Sequence, residues 1–290
     1  MTKMGKAVAH GAVSIVNAIS CGLGGALGIN LWTEASVRLT NKPKVIGGKI
    51  FSDPEESTVL INKTVEYVLK HFNLENEYGA YVETRSNVPI ARGLKSSSIA
   101  ANAIALATFS ALDADIDDLT VVNLGVDAAL EAKVTITGAF DDACASYFGN
   151  IAITDNRSRK ILKQFIPEED YAVIIHVPPK KAHTANSNVQ KMQLMAKEVK
   201  TIHKQALLGE YWAAMTLNGL VYSTLLGWDP AIAVEALSAG AIAAGLSGKG
   251  PAVAAVVPDG KSDKVKGVWQ RHEGSIIETR INREKARILT

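Results

Sequence analysis

Pro89-Ile-Ala-Arg-Gly-Leu-Lys-Ser-Ser-Ser98, running directly into Ile99-Ala-Ala-Asn-Ala-Ile-Ala-Leu-Ala-Thr108, joins a loop to the start of a helix. Upstream, Tyr78 to Ser86 has the β-branched and aromatic content of a strand; downstream, Ser97 to Leu112 is rich in Ala and Leu and predicts a buried helix. The first turn of a helix leaves backbone N–H groups unpaired and carries a partial positive charge. Three serines, Gly93, Arg92 and Lys95 at that point therefore predict a phosphate cradle. Gly93 lets the backbone approach a ligand closely. One serine is enough to cap a helix, so three hydroxyls and two cations exceed what capping asks. Neither G-x-x-x-x-G-K-S/T nor G-x-G-x-x-G after a strand occurs in the chain, which sets aside the P-loop and Rossmann ways of holding phosphate.

The rest of the chain bounds what such a cradle serves. At 290 residues, 47% hydrophobic and 21% charged, it can bury the core of one large or two small globular domains. A formal net charge of +2 gives no basic field for nucleic acid or a membrane surface, so a small-molecule ligand is expected. Cys21 and Cys144 lie far apart without C-x-x-C spacing and read as buried free thiols. Lys3 and Lys6 before the apolar run Ala7 to Leu31 superficially resemble a signal peptide. Five glycines, His10 and Asn17 interrupt that run, which continues as a strand. A cytoplasmic location is the expectation. His10, His176 and His183 lack metal-ligand spacing, and Trp32, Trp212, Trp228 and Trp269 are scattered as packing anchors.

The order of elements is α+β. Strands are expected at Lys6–Ala9, Ser14–Ile19 and Ala26–Leu39. Asp53-Pro54-Glu55-Glu56 predicts a helix start running to about Phe72, and Asp117-Asp118 caps another to about Lys133. Beyond a short strand at Asn150–Thr154, the polar stretch Asp155 to Lys163 predicts a domain boundary, dividing 1–160 from 161–290. The second half reads as a strand at Tyr171–Val177 and helices at Val189–Leu208, Glu210–Leu226 and Pro230–Ala244. A strand at Pro251–Val257, a helix at Ser262–His272 and a strand at Ser275–Ile281 follow.

Pro89-x-x-x-Gly93-Leu94-x-Ser96-Ser97 resembles the second signature of the GHMP small-molecule kinases, P-x-x-x-G-L-G-S-S-A, with Lys95 in the usual Gly slot and Ser98 in the usual Ala slot. The string Arg-Gly-Leu-Lys-Ser-Ser-Ser is similar to the archaeal-type shikimate kinase branch. Gly245-Leu-Ser-Gly-Lys-Gly-Pro-Ala-Val resembles the third, glycine-rich signature, and Thr137 to Ser146 the segment that carries the family's catalytic aspartate. The first signature, P-G-K-x-x-x-x-G-E-H, is degraded to Met4-Gly-Lys-Ala-Val-Ala-His-Gly11, with Ala12-Val13 in place of its Glu-His pair.

That resemblance implies two domains, an N-terminal one like the second domain of ribosomal protein S5 and a ferredoxin-like C-terminal one, with the active site between them. It implies ATP with Mg²⁺ as phosphoryl donor and shikimate as acceptor, with homoserine or mevalonate, or a non-catalytic sensor, as alternatives. Pro89, Ile90, Ala91, Arg92, Gly93, Leu94, Lys95, Ser96, Ser97, Ser98 and Ile99 would bind nucleotide, as would Gly245, Ser247, Gly248, Lys249 and Gly250. Asp141 takes the catalytic position, accepting or orienting the substrate hydroxyl. Read without the resemblance, Asp141 and Asp142 could instead cap a helix starting at Ala143. Lys6 takes the slot of the family's catalytic lysine, and reads equally as an ordinary charge at a strand start. Arg85, Lys181 and Arg280 are candidates to face a substrate carboxylate.

Overall fold

The computed structural model describes residues 3–180 and 189–290. Strands β1 (Met4–Val16) and β2 (Leu23–Thr40) form one long antiparallel hairpin. Besides β1, the 18 residues of β2 serve two further partners: its C-terminal half pairs β4 (Gly79–Ser86), and Leu23–Leu27 pair β5 (Ile151–Asp155). Burial follows from this division. Beyond Gly28 the strand alternates inward and outward, as a sheet with one covered face does, whereas residues 24–29 are buried on both faces. Strand β3 (Ile46–Ile50), missed in the sequence, runs parallel to β4 at the sheet edge.

Helices α1 (Val59–His71), α2 (Ser96–Leu112), α3 (Asp118–Glu131) and α4 (Phe140–Phe148) accompany this sheet. Helix α2 is apolar nearly all round because it is central, touching β1, β2, α1, α3 and α4. Helix α1 starts at Val59, not at Asp53. Asp53 to Glu56 close a turn instead, and Ile61 is the first residue able to anchor the helix to the core.

A second sheet takes β7 (Ala172–Val177), β8 (Ala243–Leu246), β9 (Val253–Val257) and β10 (Ser275–Arg280) in the antiparallel order β10-β7-β9-β8. Numbered within the sheet this is 4-1-3-2, the ferredoxin-like order. Helices α5 (Val189–Gln193), α6 (Ala196–Leu208), α7 (Tyr211–Leu226), α8 (Ala231–Ser238) and α9 (Ser262–Trp269) connect its strands. The single helix expected over Val189–Leu208 is broken at Leu194 and Met195. The one expected over Pro230–Ala244 ends before Gly240, whose φ of 107° turns the chain into β8.

The stretch Asp155 to Lys163 is a hairpin rather than a linker. Strand β6 (Lys160–Phe165) pairs β5 and stays with the first sheet, and the last strand, β11 (Arg287–Ile288), returns to β1. Cys21 and Cys144 are free and buried. Among the described residues no helix is long and apolar enough to cross a membrane.

Candidate active site

Gly93 and Lys95, both at positive φ (84° and 64°), turn the loop after β4 into α2. Lys95 is the residue before the helix, and no side chain caps the first turn. The N–H groups of Ser96–Ser98 therefore have no side-chain acceptor among the described residues. These serines line a cleft of about 140 Å³ shared with Asn17, Lys95, Asp141, Asp142 and Lys249. A second, more apolar pocket of about 80 Å³, lined by Ile50, Leu60, Ile61, Ile90 and Ile104, adjoins it through Ser96, Ser97 and Val134.

The glycine-rich segment is the turn between β8 and β9, and it closes over the α2 loop. Ser247 Oγ donates to the Gly93 carbonyl at 2.8 Å, Gly248 N donates to Ser14 Oγ at 3.0 Å, and Asn17 Nδ2 donates to the Gly248 carbonyl at 2.8 Å. A Cβ on Gly93 would strike the Ser247 carbonyl, so glycine is needed for this crossing as well as for its φ. Trp228 Nε1 donates to the Lys249 carbonyl at 2.8 Å. The Lys249 ammonium is buried without a hydrogen-bond partner among the described residues, and burial, then the charge of Lys95, push it down to about 8.

Helix α4 enters the same cleft from the other side. Gly138 and Ala139 have φ of 79° and 50°, and again no side chain caps the helix. Asp141 and Asp142 occupy its first turn, where the helix dipole favours negative charge. Asp141 Oδ1 accepts from Asn156 Nδ2 at 2.7 Å. Asp142 Oδ2 pairs with Lys95 Nζ at 3.0 Å, both side chains only 9% exposed, and Lys95 also donates to Ser14 Oγ at 2.8 Å. Burial, then the neighbouring Asp141, push the Asp142 carboxyl above the usual carboxylate range, and Lys95 opposes them.

Several expected site residues do other work. Leu94 and Ile99 are core, at 1% and 0% exposed. Pro89 is half-buried and lines neither pocket. Arg92 ties the two sheets together, its Nη1 donating to the Pro178 carbonyl at 2.6 Å and its own carbonyl accepting from Ala252 N at 3.1 Å. Ala91 and Gly250 line the cleft. Gly245 lies within β8, where a Cβ would strike the Met215 carbonyl, so it serves the close approach of α7.

Lys6 is exposed, beside a glycine packed on residues 107–111 at the far end of α2 from the serines, and lines no part of the cleft. The lysine that meets a carboxylate here is Lys95. Arg85 stands over the Phe51 ring and Arg280 pairs Asp170; both lie outside the cleft. Lys181 and His183 fall outside the described residues. Ser14, Asn17 and Asn156 went unread in the sequence because their roles rest on partners 81 to 234 positions away, or on the turn that carries Asn156 under α4.

The family model for the GHMP kinases N terminal domain matches residues 59–150, from α1 through α4. A protein of Methanosarcina mazei named shikimate kinase is 46% identical over 99% of this chain and 97% of its own length. One of Methanococcoides burtonii with the same name is 43% identical over 98% of each. In three dimensions the homoserine kinase of Cytophaga hutchinsonii superimposes with a TM-score of 0.78 at 17% identity, covering 100% of this chain and 98% of its own, which is a likeness of fold. With a cleft between two uncapped helix ends, a full-length match at this identity and the shared fold, the chain belongs to the GHMP kinases, in the group of the archaeal shikimate kinases.

Proposed function

We propose that the protein transfers the γ-phosphoryl group of ATP to a hydroxyl of shikimate. The observation that carries the chemistry is the meeting of two helix N-termini in one cleft, one lined with hydroxyls and the other with a carboxylate. Phosphoryl transfer asks the protein mainly for positioning and charge neutralisation, which this pairing supplies. The acceptor follows from the likeness to proteins named shikimate kinase.

In this reading the phosphates lie against the first turn of α2, and the base enters the apolar pocket beside it. Lys249, a buried ammonium without a hydrogen-bond partner among the described residues, gains an anion when phosphate arrives. The hydroxyls of Ser97 and Ser98 are hard oxygen donors in the same cleft and would hold magnesium together with the phosphates. Among the described residues no group of three or more carboxylates, histidines or cysteines could hold a metal ion. When bound, the ion neutralises charge developing on the phosphoryl oxygens.

Asp141 orients the acceptor hydroxyl and takes its proton as the oxygen–phosphorus bond forms and the bond to the β-phosphate oxygen breaks. The larger sheet with β6 makes the nucleotide-binding unit and the smaller sheet the second one, and the reading places the enzyme in the cytoplasm. ADP release measured with shikimate, homoserine, mevalonate and galactose in turn tests it. Stimulation by shikimate alone is expected; turnover only with another acceptor would keep the kinase and remove shikimate.

A further inference from the structure

The orientation of Asp141 is set from outside its own helix. Asn156, at the start of the β5–β6 turn, donates from Nδ2 to Asp141 Oδ1 at 2.7 Å, and Thr154 Oγ1 donates to Asn156 Oδ1 at 2.7 Å. The three side chains are 3%, 5% and 0% exposed. An amide has one accepting end and one donating end. With the accepting end taken by the Thr154 hydroxyl, the NH₂ end is turned to the carboxylate.

The backbone holds this chain of bonds in place. Asn156 N donates to the Gly22 carbonyl at 2.9 Å, and Thr154 lies opposite Gly24 in the β2–β5 register. A Cβ on Gly24 would strike Asp141 Oδ2, so the strand leaves room there only because this position is glycine.

The neighbouring carboxylate is treated differently. Asp142 has a cation, Lys95, whereas among the described residues no ion pair involves Asp141. A neutral donor orients a carboxylate without cancelling its charge, which suits a group that must take a proton from a hydroxyl.

We propose that Asn156, backed by Thr154, is a positioning residue for Asp141: it fixes Oδ1 and leaves the second oxygen to the acceptor hydroxyl. The proposal rests on the kinase reading above and adds a residue to it. It accounts for a polar turn, Asp155-Asn-Arg-Ser158, that otherwise only reverses the chain.

The test is a double-mutant cycle between Asn156→Leu and Asp141→Asn, read as steady-state kinetics. Asn156→Leu keeps the volume and removes the donor. Alone it should lower kcat about 10-fold or more, as expected of a misoriented group, with KM for ATP and acceptor within about 2-fold. In the Asp141→Asn background it should cost nothing further, because the group it positions is already gone.

A merely structural role predicts the opposite, an equal loss in both backgrounds or a change in KM alone, and either result overturns the proposal. Thr154→Val leaves Asn156 in place and carries the same cycle at about 3-fold if the leucine variant does not fold. The wild type separates the two readings. Inactivity with shikimate but turnover of another acceptor refutes the acceptor assignment and leaves the cycle to be run on that acceptor; no turnover with any acceptor overturns both.

Discussion

Helices α2 and α4 enter the cleft by the same backbone device. A glycine at positive φ precedes each, a non-glycine residue in the left-handed region follows, Lys95 at 64° and Ala139 at 50°, and neither first turn has a side-chain cap. Two similar N-terminal fields result, and the first-turn side chains set them to opposite uses. Serines are neutral and leave the α2 field unfilled, whereas Asp141 and Asp142 fill the α4 field themselves. Lys95 ties the ends together, starting one helix and pairing with the carboxylate of the other. Its backbone conformation costs about 1 kcal/mol in a non-glycine residue. The usual glycine of this slot lacks that strain but has no ammonium for Asp142 or Ser14.

The largest effect is expected at that pair. Asp142→Asn removes the one carboxylate paired with the buried Lys95 ammonium and leaves it only neutral acceptors, and the loss should be about 3 kcal/mol of stability, read by urea unfolding. Unfolding unchanged from the wild type would mean the two helix ends are held independently. Gly93→Ala sharpens the α2 side. It forces a Cβ onto the Ser247 carbonyl in a left-handed conformation, and the KM for ATP should rise about 10-fold. An unchanged KM would separate the glycine crossing from nucleotide binding.

The smallest effect concerns Lys249. Burial holds its ammonium down to about 8, so at pH 9 it is mostly neutral in the free protein. A phosphate beside it favours the charged form, so ATP binding there should take up a proton, and at pH 6 it should take up almost none through this group. Calorimetry of binding in buffers of different ionisation enthalpy reads the difference, about one proton at most. Lys249→Met should abolish it.

Much of α2 and the strand before it was legible because the signals are local. A serine cluster sits directly before an apolar run, and the strand before it has β-branched and aromatic content. Asp117 likewise caps α3 as read, its carboxylate accepting from Thr120 N at 3.0 Å. Local signals also misled. Asp53-Pro54 has good helix-start chemistry but no apolar residue to anchor it, and Gly245 reads as part of a loop although its neighbour is α7. Lys6 followed a motif kept only in part, with Ala12-Val13 in place of its Glu-His pair. What stayed hidden was the wiring between the two sheets: Ser14 to Gly248, Asn17 to Gly248 and Asn156 to Asp141 join residues that only the folded chain brings together.

The division of labour between the two helix ends is tested most directly by full steady-state kinetics of Ser97→Ala beside Asp141→Asn, with ATP and shikimate both varied. The α2 change should raise the KM for ATP several-fold with little change in kcat. The α4 change should lower kcat by about 10²-fold or more with the KM for ATP within about 2-fold. If both variants moved the same parameter, or if Ser97→Ala lowered kcat while Asp141→Asn weakened ATP, the assignment of phosphate to α2 and acceptor to α4 would be contradicted.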